Sequence, residues 1–139
     1  IIVSSKIITG FDILKVIALG ADACYSARGM MFALGCIQAL QCNEDTCPVG
    51  VATQNPKLYK GLDVSNKSVR VAQFHKNTLR ATVEIMEACG FNTLDDVSAD
   101  KFFRKVSNLK TKSFEEIYFK KEGKLVESHT NFAPPVLYD

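Results

Sequence analysis

Two short apolar runs flank one amphipathic segment at the start of the chain. Residues 1–3 and 21–25 are apolar enough to predict two buried strands. Between them, residues 11–19 carry apolar side chains at helical spacing, and Gly20 stands where helices commonly end. Strand, helix and strand in this order predict one βαβ unit. Such units form parallel sheets with ligand sites at the carboxyl ends of the strands, and residues 26–29 lie at such an end.

Two further helices follow from the same periodicity. One is predicted from near Met30 toward Gly35, and a longer one from Ser65 or Asn66 to Cys89, with Gly90 as its stop. Residues 55–61, which contain an Asn-Pro pair and a glycine, predict an irregular connection between these helices.

Beyond Gly90 the pattern predicts a helical extension. Short helices are expected over residues 93–97 and 99–105, and Ser113 with Glu116 has the spacing of a helix capping box. The last residues, from Ser128 onward, contain two prolines and predict an irregular terminus.

Composition narrows the possible class of protein. The 139 residues are 47% hydrophobic with a formal net charge of +2, which is enough for one modest core. No membrane-length apolar run and no signal peptide stand out, so a cytoplasmic protein is expected. The only local crowding of positive charge is at residues 120–124, which argues against a nucleic-acid partner. Because the chain opens on apolar residues without an initiator methionine, we expect it to be part of a larger domain.

The strongest chemical signal is a group of three cysteines. Cys36, Cys42 and Cys47 form a C-x5-C-x4-C run that Pro48 and Gly50 follow. Thiolates are soft ligands that suit iron and sulfide, and three ligands suit a cluster that lacks one iron. Two alternatives remain open on spacing alone, namely a structural zinc site and three unrelated buried thiols. The other two cysteines, at 24 and 89, are expected to be spare buried thiols rather than a disulfide pair.

Three other titratable residues are interpreted as structural. His75 lies on a helix rich in lysine and arginine, where a single histidine is more often a surface residue than a ligand. Asp12 and Asp22 are expected to cap or position loops rather than to catalyse a reaction.

Five stretches resemble a known family in their order and spacing. They are residues 7–12 (IITGFD), 19–22 (LGAD), 27–29 (ARG), 33–38 (ALGCIQ) and 47–54 (CPVGVATQ). Together they resemble the FMN-binding domain of glutamate synthase, from residue 1 to about Gly90. In that family this cysteine spacing holds a 3Fe-4S cluster, so the resemblance implies that role for the three cysteines. Residues 103–107 and 113–118 look like the end of the shorter, stand-alone relatives.

The resemblance implies a fold and a flavin site. The family fold is a TIM barrel, so residues 1–90 are expected to be its last quarter, with residues 1–3 as the seventh strand and 21–25 as the eighth. Residues 91–139 would be a helical C-terminal extension. Phosphate-binding loops follow these two strands, which places the FMN phosphate against Ser5, Lys6, Ser26, Ala27 and Arg28. Many FMN barrels have glycines in place of Ser5, Lys6 and Ala27, and a surface salt bridge is the alternative for Arg28.

The resemblance also implies a reaction. 2-Oxoglutarate and ammonia, the latter supplied free or from glutamine, form 2-iminoglutarate, which reduced FMN converts to L-glutamate. Electrons reach the flavin through the cluster from an electron-donor protein or an NAD(P)H-oxidising subunit. A rival within the same resemblance is the large subunit of a methylamine–glutamate N-methyltransferase. A rival of another class is a non-enzymatic module whose three thiolates hold a structural metal.

Overall fold

The computed structural model describes residues 1–121 and 124–125. Its strands are β1 (Ile2–Ser4), β2 (Ala23–Tyr25), β3 (Phe103–Ser107), β4 (Lys110–Ser113), β5 (Lys120–Lys121) and β6 (Lys124–Leu125). Its α-helices are α1 (Gly10–Ala18), α2 (Ala27–Leu34), α3 (Pro56–Tyr59) and α4 (Val64–Cys89). Single turns of 3-10 helix span Cys42–Glu44, Leu94–Asp96 and Ala99–Lys101, and a π-helical turn spans Glu115–Phe119. No helix in these ranges is long and apolar enough to cross a membrane.

The predicted βαβ unit is confirmed. β1 and β2 pair in parallel, with Ser4 opposite Tyr25 at their carboxyl ends. α1 begins at a capping box, in which the Asp12 carboxylate accepts the Thr9 N–H at 3.0 Å and the Thr9 hydroxyl accepts the Asp12 N–H at 3.2 Å. Gly20, with φ +100°, turns the chain after the helix as predicted. Asp12 is therefore a capping residue, as expected.

The second strand begins two residues later than predicted. Ala21 is buried, and its N–H donates to the carbonyl of Val16 at 3.1 Å, so it completes the end of α1 before the chain extends. Asp22 is exposed and contacts the amino group of Ile1.

Two apolar clusters hold the fold together. The first joins α1 to the segments after α4 through five buried side chains: Leu14, Ala18, Val97, Phe102 and Phe114. The second lies between α1 and the parallel strands, where Val3 and Cys24 contact buried Ile7 and Val16. The opposite face of the two strands is exposed, with Ile2 at 60% and Tyr25 at 63%. The prediction that both strands are buried is therefore wrong for this face, because only the face toward α1 is covered.

α4 is the scaffold on which α1 and α2 pack. Its predicted end is confirmed, since Gly90, with φ +73°, follows Cys89. Its start is Val64, one residue before the predicted Ser65, because Asp63 caps the helix by accepting the Ser65 N–H at 3.0 Å. A Cβ on Gly10 would lie 2.6 Å from the backbone nitrogen of Thr82, so α1 can approach α4 this closely only with a glycine there. His75 is exposed, which agrees with its interpretation as a surface residue.

The structure corrects two predictions between residues 26 and 61. α2 starts at Ala27 rather than near Met30, since only Ser26 separates it from β2, and Ser26 occupies the N-cap position without a side-chain bond to the helix. The connection predicted to be irregular contains α3. Asn55 caps this turn by accepting the Lys57 N–H at 3.0 Å, and Pro56 occupies the first helical position, where proline is tolerated.

The predicted helical extension is wrong for residues 103–113. Of the helix predicted over residues 99–105, only Ala99–Lys101 is helical, in a single 3-10 turn. Phe103–Ser107 instead forms an antiparallel hairpin with Lys110–Ser113. Buried Phe102 anchors the hairpin, because its carbonyl accepts the Phe114 N–H at 2.8 Å. The capping box is confirmed, since Ser113 and Glu116 exchange hydrogen bonds, and it leads into the π-helical turn. Residues 128–139, predicted to be irregular, lie outside the described residues.

Candidate functional site

The five residues predicted to bind the flavin phosphate lie at one edge of the parallel strands. Ser5 and Lys6 follow β1, while Ser26, Ala27 and Arg28 follow β2. Because the two strands pair in register up to Ser4 and Tyr25, both loops leave the sheet side by side. The structure thus brings both halves of the predicted set to one edge of the sheet.

Ser26 ties the two loops together. Its hydroxyl donates to the carbonyl of Ile7 at 2.6 Å, so its side chain does not cap α2. The first turn of α2 contains no acidic residue either. The N–H groups at the start of α2 therefore have no acceptor from the Ser26 side chain or from an acidic side chain of the first turn. The positive end of a helix favours an anion at that place.

Two cations stand near this helix end. Lys6 and Arg28 are exposed, and neither forms an ion pair with another part of residues 1–121. The salt bridge considered as the alternative role of Arg28 is not formed within these residues. Both side chains remain available for an anionic ligand.

Gly29 also lies at this edge, although no role of its own was predicted for it. A Cβ at this position would lie 2.7 Å from the Ser26 hydroxyl and 3.2 Å from the Phe74 ring. Glycine therefore lets the start of α2 sit against α4 while Ser26 keeps its bond to the neighbouring loop. The signal in the sequence that could have indicated its role is the position of a glycine directly after Ser26, Ala27 and Arg28.

The cysteine-bearing segment leaves the other end of α2. Gly35, with φ +106°, ends the helix, and the Cys36 N–H donates back to the carbonyl of Met31 at 3.0 Å. The Cys36 sulfur accepts the Gln38 N–H at 3.4 Å. Cys36 is thus held by the helix end, and its sulfur already has a backbone donor.

Cys47 is the most enclosed of the three cysteines, with 6% of its surface exposed. The backbone N–H of Ala52, helped by those of residues 49–51, lowers the pKa of the Cys47 thiol below its usual range, although burial alone would raise it. Backbone donors around a sulfur favour its ionised form, which is the form that binds metals.

The three sulfurs do not converge in this conformation. Cys42 is exposed on its 3-10 turn, and within residues 1–121 and 124–125 no three Cys, His, Asp or Glu side chains are close enough to hold a metal ion. The chemistry of the three side chains nevertheless fits an iron–sulfur cluster, because one connecting segment carries three thiols and the pKa of one of them, Cys47, is lowered. Cys24 lies apart on β2 and is half-buried, and this burial raises the pKa of its thiol. Cys89, at the end of α4, is exposed, so the prediction that it is a buried thiol is wrong.

Comparison with known proteins decides the family. Residues 1–92 match the model described as the conserved region in glutamate synthase. The chain belongs to the glutamate synthase family. The matched region covers the βαβ unit, the cysteine segment and α4, and it ends two residues beyond Gly90.

Individual members of this glutamate synthase family agree. The glutamate synthase large subunit-like protein YerD of Bacillus subtilis is 44% identical over 93 residues, which cover 67% of this chain and 18% of the relative. The archaeal glutamate synthase [NADPH] of Methanocaldococcus jannaschii is 35% identical over 123 residues, which cover 88% of this chain and 24% of the relative. This glutamate synthase-type chain therefore spans about a fifth to a quarter of the length of these relatives.

Proposed function

We propose that this chain supplies the FMN-phosphate edge and the iron–sulfur segment of a glutamate synthase-type oxidoreductase. The observation that carries the proposal is the position of α2 between the two candidate sites. Its start faces the loops after β1 and β2, and its end leads directly into Cys36. Eight helical residues span about 12 Å, so the two sites lie close to one another on one rigid element.

The parallel strands support the barrel part of the proposal. Val3 and Cys24 face α1, as residues facing the helical layer of a barrel do, while Ile2 and Tyr25 stay exposed on the other face. In a TIM barrel that other face is the packed interior. We therefore assign β1 and β2 to the seventh and eighth strands of such a barrel, with residues 1–90 as its last part and residues 91–139 as an extension.

We infer the chemistry from the resemblance to the family. When bound, FMN supplies the hydride that reduces 2-iminoglutarate, formed from 2-oxoglutarate and ammonia, to L-glutamate, and a 3Fe-4S cluster supplies the electron path to it. The role of this chain is to bind and orient these two groups. Lys6 and Arg28 provide positive charge to the FMN phosphate, and Ser26 holds the two phosphate loops together. Cys36, Cys42 and Cys47 are the ligands of the cluster. The nitrogen source and an electron-donor protein or NAD(P)H-oxidising subunit are partners of the whole enzyme.

Metal and flavin analysis of the complete protein tests the proposal. After anaerobic purification we expect about three iron atoms and four sulfides per chain from the 3Fe-4S assignment, with the EPR signal of that cluster and bound FMN. Cys47→Ser should abolish the cluster, while the matched variant Cys24→Ser should retain it. Zinc without sulfide in the wild-type protein would contradict the proposal.

A further inference from the structure

The loop that carries Cys47 is closed by one aspartate. The Asp45 carboxylate accepts the Gln54 N–H at 2.5 Å, and the Asp45 carbonyl accepts the Thr53 hydroxyl at 2.6 Å. These two bonds join the residues before Cys47 to those after it. We call Asp45, Thr53 and Gln54 the Asp45 clasp.

The clasp continues into α3. The Thr53 hydroxyl oxygen also accepts the Asn55 N–H at 3.1 Å, and Asn55 is the residue that caps α3. Gly50, inside the loop, packs so closely on this helix that a Cβ there would lie 2.5 Å from the carbonyl oxygen of Leu58. The loop around Cys47 is therefore attached to α3 at its middle and at its end.

Asp45 itself has a backbone conformation that limits the choice of residue. Its φ is +59°, in the left-handed region that aspartate and asparagine tolerate better than other non-glycine residues. Aspartate and asparagine are thus the two residue types that supply the side-chain acceptor and also tolerate this backbone conformation. Asparagine would keep both properties, whereas alanine would lose the acceptor and be strained.

We propose that Asp45 is a positioning residue that holds the Cys47 sulfur and the backbone N–H groups of residues 49–52 in place for the metal centre. The inference rests on the proposed function, since it concerns the same cysteine. Residues that orient metal ligands without contacting the metal typically change the metal affinity by about 10-fold to 100-fold when they are removed. Backbone N–H groups that donate to the sulfurs of a cluster also raise the reduction potential of the cluster. A loosened loop should therefore lower that potential.

The test compares Asp45→Ala, Asp45→Asn and Asp63→Ala in the complete protein. Asp63 is a matched control, because it also accepts backbone N–H groups but caps α4. Asp45→Ala should release iron to a chelator roughly 10-fold faster than wild type and have a more negative cluster potential. Asp45→Asn should resemble the wild type in both measurements, and Asp63→Ala should lower only the melting temperature.

A second readout does not depend on a cluster. In the metal-free protein Cys47 is buried, so Asp45→Ala should increase its rate of alkylation by iodoacetamide, followed residue by residue by mass spectrometry, while Asp45→Asn should not. The rates are compared at a pH high enough to ionise the Cys47 thiol in every variant, so that they report access to the sulfur and not a change in its pKa. If Asp45→Ala does not fold, Thr53→Val changes the volume little but removes both hydrogen bonds of the Thr53 hydroxyl, to the Asp45 carbonyl and from the Asn55 N–H, and should show the same direction of change. Wild-type rates and potential in Asp45→Ala, or in Thr53→Val, would overturn the inference. Wild-type protein without iron and sulfide would refute the proposed function, and alkylation would still decide whether Asp45 positions Cys47.

Discussion

Removal of the Arg28 side chain gives the sharpest test of the flavin-phosphate assignment. Arg28 is in the first turn of α2, directly after β2, and has no ion-pair partner among residues 1–121. If it binds the FMN phosphate, Arg28→Ala in the complete protein removes a charge-assisted hydrogen bond but leaves the helix end in place. The flavin ring and its surroundings should be unaffected.

The size of the effect follows from the chemistry of the contact. A hydrogen bond to a charged group is worth about 1.5–3 kcal/mol, which corresponds to a loss of FMN affinity of roughly ten-fold to a hundred-fold. Because Arg28 is exposed, solvent screens its charge, and we expect a value near the lower limit of about ten-fold. The difference between wild type and variant should shrink as the salt concentration rises.

Riboflavin makes the assay specific, since it has the same ring system without the phosphate. The flavin is removed from the protein, and FMN and riboflavin are then titrated back while flavin fluorescence is followed. Arg28→Ala should weaken FMN binding and leave riboflavin binding nearly unchanged. Arg80→Ala is the matched control, because Arg80 is an exposed arginine on α4 that pairs with Glu84 at 3.5 Å.

Two results would refute the reasoning. Equal losses for FMN and riboflavin would mean that Arg28 supports the fold of the flavin site rather than the phosphate. Unchanged FMN affinity together with loss of the cluster would mean that the proposed order of the barrel strands is wrong and that Arg28 supports the cysteine segment.

Three further predictions concern the fold and are measured by urea denaturation. Gly10→Ala should destabilise the chain by about 1–3 kcal/mol, because the new Cβ would lie 2.6 Å from the Thr82 nitrogen, and an unchanged midpoint would contradict this helix approach. Leu14→Ala, at a position with 0% exposure, should cost about 2–5 kcal/mol, whereas Leu79→Ala, 48% exposed, should cost less. Burial would raise the pKa of Asp12, but its hydrogen bonds outweigh this effect and lower the pKa from 3.8 to about 2. The ionised carboxylate therefore stabilises the fold above pH 3.8. As the pH falls toward 2, the free energy of unfolding should decrease by about 1 kcal/mol in the wild type but not in Asp12→Asn.

The sequence alone determined the elements whose signals are local. Periodic apolar positions predicted α1 and α4, and the glycines at 20, 35 and 90 predicted the ends of three helices, where all three have positive φ. These predictions succeed because hydrophobic periodicity and left-handed glycine geometry act within a few residues of the chain. The βαβ order follows from the same signals, and parallel strands align their carboxyl ends, so residues that follow the two strands lie at one edge. The choice of the five flavin-phosphate residues at that edge came from the family resemblance.

Tertiary structure decided what depends on residues far apart in the chain. Phe103–Ser107 has residues that also suit a helix, and it becomes a strand because Phe102 is buried against α1 and its partner strand lies alongside. The spacing identified the three cysteines but did not predict how their sulfurs are arranged in space. The segment between them bends at non-glycine residues with positive φ, namely Gln38, Leu40 and Asp45. The Asp45 clasp joins residues eight and nine positions apart. No local sequence pattern predicts such a hydrogen bond, because its donor and acceptor come together only once the loop has closed.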